Sequence, residues 1–322
     1  MNLAQINQLW EEYKKKYDIK SDARITRVLY DTGENVEGCF NLLELMAGDY
    51  VLHLNPNMHL YSENYCKFIL FHEFTHFYDY IHRPYSEDEK EKLIMWMNAY
   101  SEFHACRVTL ARFIEMIRLT TVDVDKIQIP GQYKEISIRQ LLMESIYRCQ
   151  VCFFDFYISN NLADYANGLR SLMYLMGYVS LFVNDEDMIA FILKGLRLES
   201  ESFMHLYMAM KETRFDDVLT YYKIIVNDAT LVYIKEAFRR YYSREIISEE
   251  EIEEVTLENF RDYIRMVNER LREMGYDVED PEDLEELEKE DSREAAYRIM
   301  DTVKEGGFGL VSWFDYEHLI LK

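Results

Sequence analysis

Hydrophobic and polar positions follow two rhythms along the chain. Residues 2–18 are amphipathic and read as a helix. The stretches RITRVLY (24–30), GCFNLLEL (38–45) and DYVLHLN (49–55) alternate or run β-rich, which predicts two or three strands, with DTGEN and MAGD as turns. Asn55-Pro56 ends the last strand, and Ser62 is placed to cap a helix over 63–82. Pro84 interrupts the chain. Ser86 and Glu89 then spell the capping box S-x-x-E, which opens a second helix running to about 118. Beyond a loop with Ile129-Pro130-Gly131, helical periodicity holds from about 137 to 275 with short polar breaks. Asp280-Pro281 begins a further acidic helix, and the tail EGGFGLVSWFDYEHLILK breaks at its glycines. There is no internal repeat and no low-complexity linker. The pattern predicts a mostly helical α+β fold with a small sheet near the N-terminus, divided into 1–125 and an all-α region 126–322.

Composition agrees with this reading. The chain has 322 residues, of which 49% are hydrophobic and 15% aromatic, enough for a sizeable core. Four prolines and eleven glycines are too few for a turn-rich all-β fold. The net charge of −23 and the lack of a Lys/Arg face exclude a nucleic-acid interface and disfavour an anionic membrane surface. Residues 244–292 hold 20 acidic and 6 basic side chains. They form a solvated helical surface, or alternatively a docking surface for a basic partner. No apolar leader opens the sequence, and the longest uncharged apolar stretch, 171–184, is too short to span a bilayer. Five cysteines, an odd number, suggest reduced thiols and a cytoplasmic protein. Cys149 and Cys152 form a C-x-x-C, but with no second pair and apolar surroundings they read as core.

The chemistry concentrates in FHEFTHFYDY, 71–80. On a helix, His72 and His76 lie one turn apart on one face and can each give a nitrogen to one zinc ion. Glu73 lies about 100° round the helix from His72, which suits a base that takes a proton from water beside the metal. Asp79 shares the histidine face and is placed to hold the second N–H of a ligand. The next helix offers Glu102 and His104, about 200° apart, so only one of them can reach the same ion. Glu102 lies on the apolar stripe of Met95, Ala99, Cys106, Leu110, Phe113 and Ile117, where a carboxylate needs a reason to be buried. His104 shares a mixed face with Tyr100, Arg107, Val108 and Glu115. Glu102 is therefore the expected third ligand, with one Zn2+ per chain.

An H-E-x-x-H helix followed by a glutamate on the next helix resembles the glutamate zincins, and within them the ImmA/IrrE type of metallopeptidase. The resemblance rests on YVLHLNPNMHL, FILFHEFTHFYDY and SEFHACRVTLARF, and covers about residues 24–118. It implies a zincin-like N-terminal domain, with His72, His76 and Glu102 as zinc ligands and Glu73 as catalytic base. It also implies a peptide or protein substrate, such as a transcriptional regulator. Thr75 replaces the usual small residue before the second histidine, and no helix-turn-helix partner domain is visible.

The leading reading is a cytosolic zinc-dependent metallopeptidase. The alternative is a metal-stabilised interaction or regulatory protein of phage or mobile-element type with little or no peptidase activity. Substrate is expected along the strand 49–55, with Tyr50, Leu52 and Leu54 on one face and His53 on the other. His53 and His59 flank the end of this strand and read as surface residues or as lining of the cleft. The many tyrosines and His205 include candidates for an electrophile that the sequence does not single out.

Overall fold

The computed structural model describes residues 1–33, 36–116, 128–129, 136–159, 162–196, 198, 200–212, 215–276 and 278. The acidic helix expected from Asp280-Pro281 and the glycine breaks of the tail lie outside these residues. The described chain is mostly helical with a small sheet near the N-terminus, as the hydrophobic pattern predicts. No helix among the described residues is long and apolar enough to cross a membrane.

The chain divides into two compact units. The first takes in Met1–Leu142 and, from later in the chain, Met173–Val183. It begins with α1 (Leu3–Lys16), capped by Asn2 and Gln5 in a reciprocal capping box. Strands β1 (Arg27–Leu29), β2 (Gly38–Phe40) and β3 (Val51–Leu54) form one sheet in the order β1-β3-β2. β3 pairs parallel with β1 and antiparallel with β2. The stretch 38–45 is not one strand. Asn41 accepts a hydrogen bond from the Leu43 N–H and starts a short helix, α2 (Leu42–Met46). This local cap outweighs the β-rich run that follows it. Gly48, at φ +76°, makes the turn into β3.

The long apolar helix α3 (Glu63–Ile81) is capped by Ser62, whose side chain accepts from the Tyr65 N–H. It is covered on several sides. Trp10 of α1 packs against Phe74 and Phe77, and the Tyr13 hydroxyl lies 2.7 Å from Thr75 Oγ1. Phe40 of β2 stacks on Phe77, and Tyr50, next to β3, meets it edge-on. Thr75 also donates to the Phe71 carbonyl, so the residue in the usual small position is fully buried and bonded on both sides.

The capping box of Ser86 and Glu89 is present, yet the helix it opens is not uniform. A short 3₁₀ turn leads to α4 (Lys90–Trp96), then a π turn (Met97–Ser101), then α5 (Glu102–Met116). The wider π turn shifts the phase of the helix. Before it the buried residues are Leu93 and Trp96, within it Ala99, Tyr100 and Ser101, and after it the stripe is Phe103, Cys106, Leu110 and Phe113. Two short strands, β4 (Gln128–Ile129) and β5 (Ile136–Ser137), pair antiparallel. They precede α6 (Ile138–Ser159) and α7 (Leu162–Val179). Within the first unit Gly177 of α7 lies against α5. A Cβ there would overlap the Phe103 carbonyl oxygen and come within 2.9 Å of Cys106 Cβ.

The second unit, Met143–Leu172 and the described residues from Asn184 onward, is helical. It contains α8 (Asp185–Leu196), α9 (Ser200–Lys211), α10 (Phe215–Tyr241), α11 (Glu249–Glu253) and α12 (Phe260–Glu273). Cys149 is fully buried there, and burial pushes its thiol pKa well up; Cys152 is half-buried. In the described part of the acidic segment several carboxylates are already engaged. Arg239 meets Glu249 and Glu253, Lys235 meets Glu253, and Arg270 meets Glu251. The Arg270 guanidinium and the Ser248 N–H hold the Glu251 carboxyl at about 2.

Candidate metal centre

The site lies where α3 faces α5. One helical turn puts the His72 and His76 rings on the same face, with their Nε2 atoms 3.1 Å apart. Glu102, the first residue after the π turn, brings Oε2 to 3.1 Å from His76 Nε2 and 3.5 Å from His72 Nε2. Donor atoms of His72, Glu73 and His76 all lie within 4.8 Å of one another, a cluster able to hold a metal ion. Glu73 and Glu102 are both almost fully buried, at 4% and 2% exposure.

A hydrogen-bond chain fixes the tautomer of His76. Ser101 Oγ donates to Asp79 Oδ2 at 2.8 Å, which uses its only hydrogen. His76 Nδ1, 2.8 Å from the same hydroxyl, must therefore carry the proton and donate it. The Nε2 of His76 faces His72 and Glu102. Asp79 is thus linked to a motif histidine through Ser101. Its other oxygen accepts from His104 Nδ1 at 2.8 Å. His104 faces Asp79 and not the Nε2 pair, so the two helix positions separate as the 200° spacing requires.

The three facing atoms suit a small divalent cation. Four donors at the usual zinc distances of about 2.0–2.1 Å have tetrahedral edges of about 3.3 Å. The observed edges are 3.1, 3.1 and 3.5 Å. A lone pair and a carboxylate oxygen at this range repel unless a proton or cation lies between them, and three buried carboxylates on two neighbouring helices raise that cost.

Other elements complete the surroundings. Gly38 of β2 lies flat against the motif helix: a Cβ there would come 3.1 Å from Glu73 Cγ and 3.3 Å from Ile69 Cγ2 and Leu54 Cδ2. From α7, the Tyr174 ring meets His72 edge-on at 5.8 Å. The Tyr178 phenol is pushed well up by burial first, with Cys106 and the Glu102 charge adding to it. Ser101, Gly38 and Tyr174 were not singled out by sequence. Ser101 carries no motif signal, and Tyr174 comes from a segment about a hundred residues away.

The expected substrate strand takes a different position. β3 is the central strand, with Arg27–Leu29 paired on one side and Gly38–Phe40 on the other, so its backbone is committed along both edges. Alternation in a sequence marks the faces of a strand but not whether it is central or at an edge. Tyr50, Leu52 and Leu54 turn toward α3. His53 turns to the opposite face of the sheet, where its ring is held by Asp31 at 2.8 Å and Glu44 at 2.7 Å. His59 is bonded to the Pro56 carbonyl on a surface turn, and His205 lies in the second unit.

Among the described residues, β2 pairs on one side only and is the edge strand beside the site. Asn55 N–H donates to the Glu37 carbonyl, so residues 37 and 39 turn their backbone groups toward β3. By antiparallel alternation the N–H and C=O of Gly38 and Phe40 point outward.

No protein-family model, curated protein or solved structure matches the chain. The likeness to the zincins is therefore the likeness of the H-E-x-x-H cluster itself.

Proposed function

We propose that the protein is a zinc metallopeptidase in which His72, His76 and Glu102 hold the metal and Glu73 is the general base. The observation that carries this reading is the convergence of two imidazole Nε2 atoms and one carboxylate oxygen beside a second buried carboxylate. Zinc held there would acidify water and polarise a peptide carbonyl. Glu73 takes the proton from the attacking water and passes it to the leaving amine nitrogen as the C–N bond breaks. Gly38 limits the room beside the Glu73 stem and so restricts where the carboxylate can go. Ser101 and Asp79 keep His76 Nε2 directed inward. The outward groups of Gly38 and Phe40 offer an extended peptide a backbone to pair with, next to Glu73. Five unbridged thiols favour a reducing compartment, the cytoplasm.

Two measurements on one preparation test this. Elemental analysis should find about one zinc per chain after zinc add-back and gentle desalting. Glu73→Gln should keep that zinc and lose hydrolysis of a peptide library by about 10²-fold or more. A zinc-free protein, or a variant that cleaves at the wild-type rate, would overturn the assignment.

A further inference from the structure

Next to Gly38, and so at one end of the outer edge of β2, stands Glu37. Its half-buried carboxylate faces the phenols of Tyr61 and Tyr65, which meet each other edge-on at 5.3 Å. The carboxylate accepts hydrogen bonds from the Tyr61 and Tyr65 hydroxyls, while its buried Oε2 takes none among the described residues. No lysine or arginine among the described residues pairs with it. Burial pushes its pKa up, against the pull of the two phenols. A desolvated carboxylate without a cation is costly to keep, and here it is kept beside two aromatic rings.

The place of this group along the helix is informative. Tyr65, Ile69 and Glu73 follow one another at successive turns of α3, and Gly38 touches the last two. Glu37 with Tyr65 therefore lies about two turns, or about 12 Å, from the proposed base. A peptide paired with Gly38 and Phe40 would run past it within two or three residues, since an extended chain advances about 3.3 Å per residue. An acid held by two phenol hydroxyls attracts an ammonium or guanidinium group by charge.

We propose that Glu37, with Tyr61 and Tyr65, is a specificity site that selects substrates carrying a lysine or arginine within about three residues of the cleaved bond. This rests on the peptidase reading. It adds a substrate class: basic segments of proteins. The free N-terminal amine of a short peptide offers the same charge, so the probes must be blocked at that end.

The test is binding, measured by fluorescence anisotropy on zinc-loaded Glu73→Gln protein, which cannot consume its ligand. The probes are N-acetylated, C-amidated degenerate decapeptide pools that differ only in a fixed lysine, arginine, norleucine or glutamate. Lysine and arginine pools should bind about tenfold more tightly than the norleucine pool, and the glutamate pool most weakly. Adding Glu37→Gln should abolish the difference, and Glu37→Lys should reverse it, with melting curves showing that both variants fold. Equal binding of the lysine and norleucine pools, or a preference that survives Glu37→Gln, would overturn the proposal. If Glu73-dependent hydrolysis is then still seen with wild-type protein, the peptidase reading stands alone. If no pool binds and none is cut, both fall together. A preference for unblocked peptides only would assign Glu37 to the N-terminal amine and overturn the side-chain specificity.

Discussion

Asp79 meets two histidines by two routes, and only one of them leads to the candidate metal centre. Through Ser101 it fixes the proton on His76 Nδ1, while directly it holds His104. The hydroxyl is the part that can be removed without disturbing charge. Ser101→Ala should weaken zinc binding by about 10–100-fold, the usual cost of losing an outer partner of a metal-bound imidazole. Chelator competition would read this, with Glu102→Ala weakening binding further and His104→Ala weakening it least. An unchanged affinity in Ser101→Ala would show that the tautomer of His76 is set by something else.

At the scale of elements, two devices place side chains that propensity alone would leave elsewhere. The π turn of residues 97–101 adds a phase step just before Glu102, so the helix can bury Trp96 before the step and Glu102 after it. The second device is the His53 clamp, which ties β3 to α2 through Glu44 and to the end of β1 through Asp31. Burial alone would lower the His53 pKa, but the two carboxylates outweigh it and the net shift is upward. A raised histidine stabilises the fold fully below its unfolded value of about 6.5 and loses that contribution as pH rises through the folded value. Between pH 6 and pH 9 the wild type should therefore lose more thermal stability than His53→Gln. Parallel pH–Tm curves for the two proteins would refute the clamp.

For the molecule as a whole, structure set by near neighbours is legible in the sequence and structure set by distant segments is not. Ser62, the Ser86–Glu89 box and the 3.6-residue period gave α3 and the start of the next helix, because each depends on neighbours within a turn or two. The burial of Glu102 followed from its apolar stripe. The central position of β3, the cover of Tyr174 and the closeness of Gly38 to Glu73 did not, because each depends on contacts between segments far apart in the chain. The division into two units has a thermal signature. Zinc stabilises by about 4 kcal/mol when free metal is about a thousand times its dissociation constant. All the proposed ligands lie in the first unit. Chelation should therefore lower the unfolding transition of that unit by several degrees in calorimetry and leave the other in place. A single transition shifting as one would show that the units unfold together. The return of Met173–Val183 to the first unit also sets an order of events during synthesis. The motif helix and Glu102 are made early, but Gly177 and Tyr174 leave the ribosome some seconds later at roughly 5–20 residues per second. Until then the His72 side of the candidate centre lacks its aromatic cover, so a nascent chain presents the proposed ligands to passing metal ions before Tyr174 is in place.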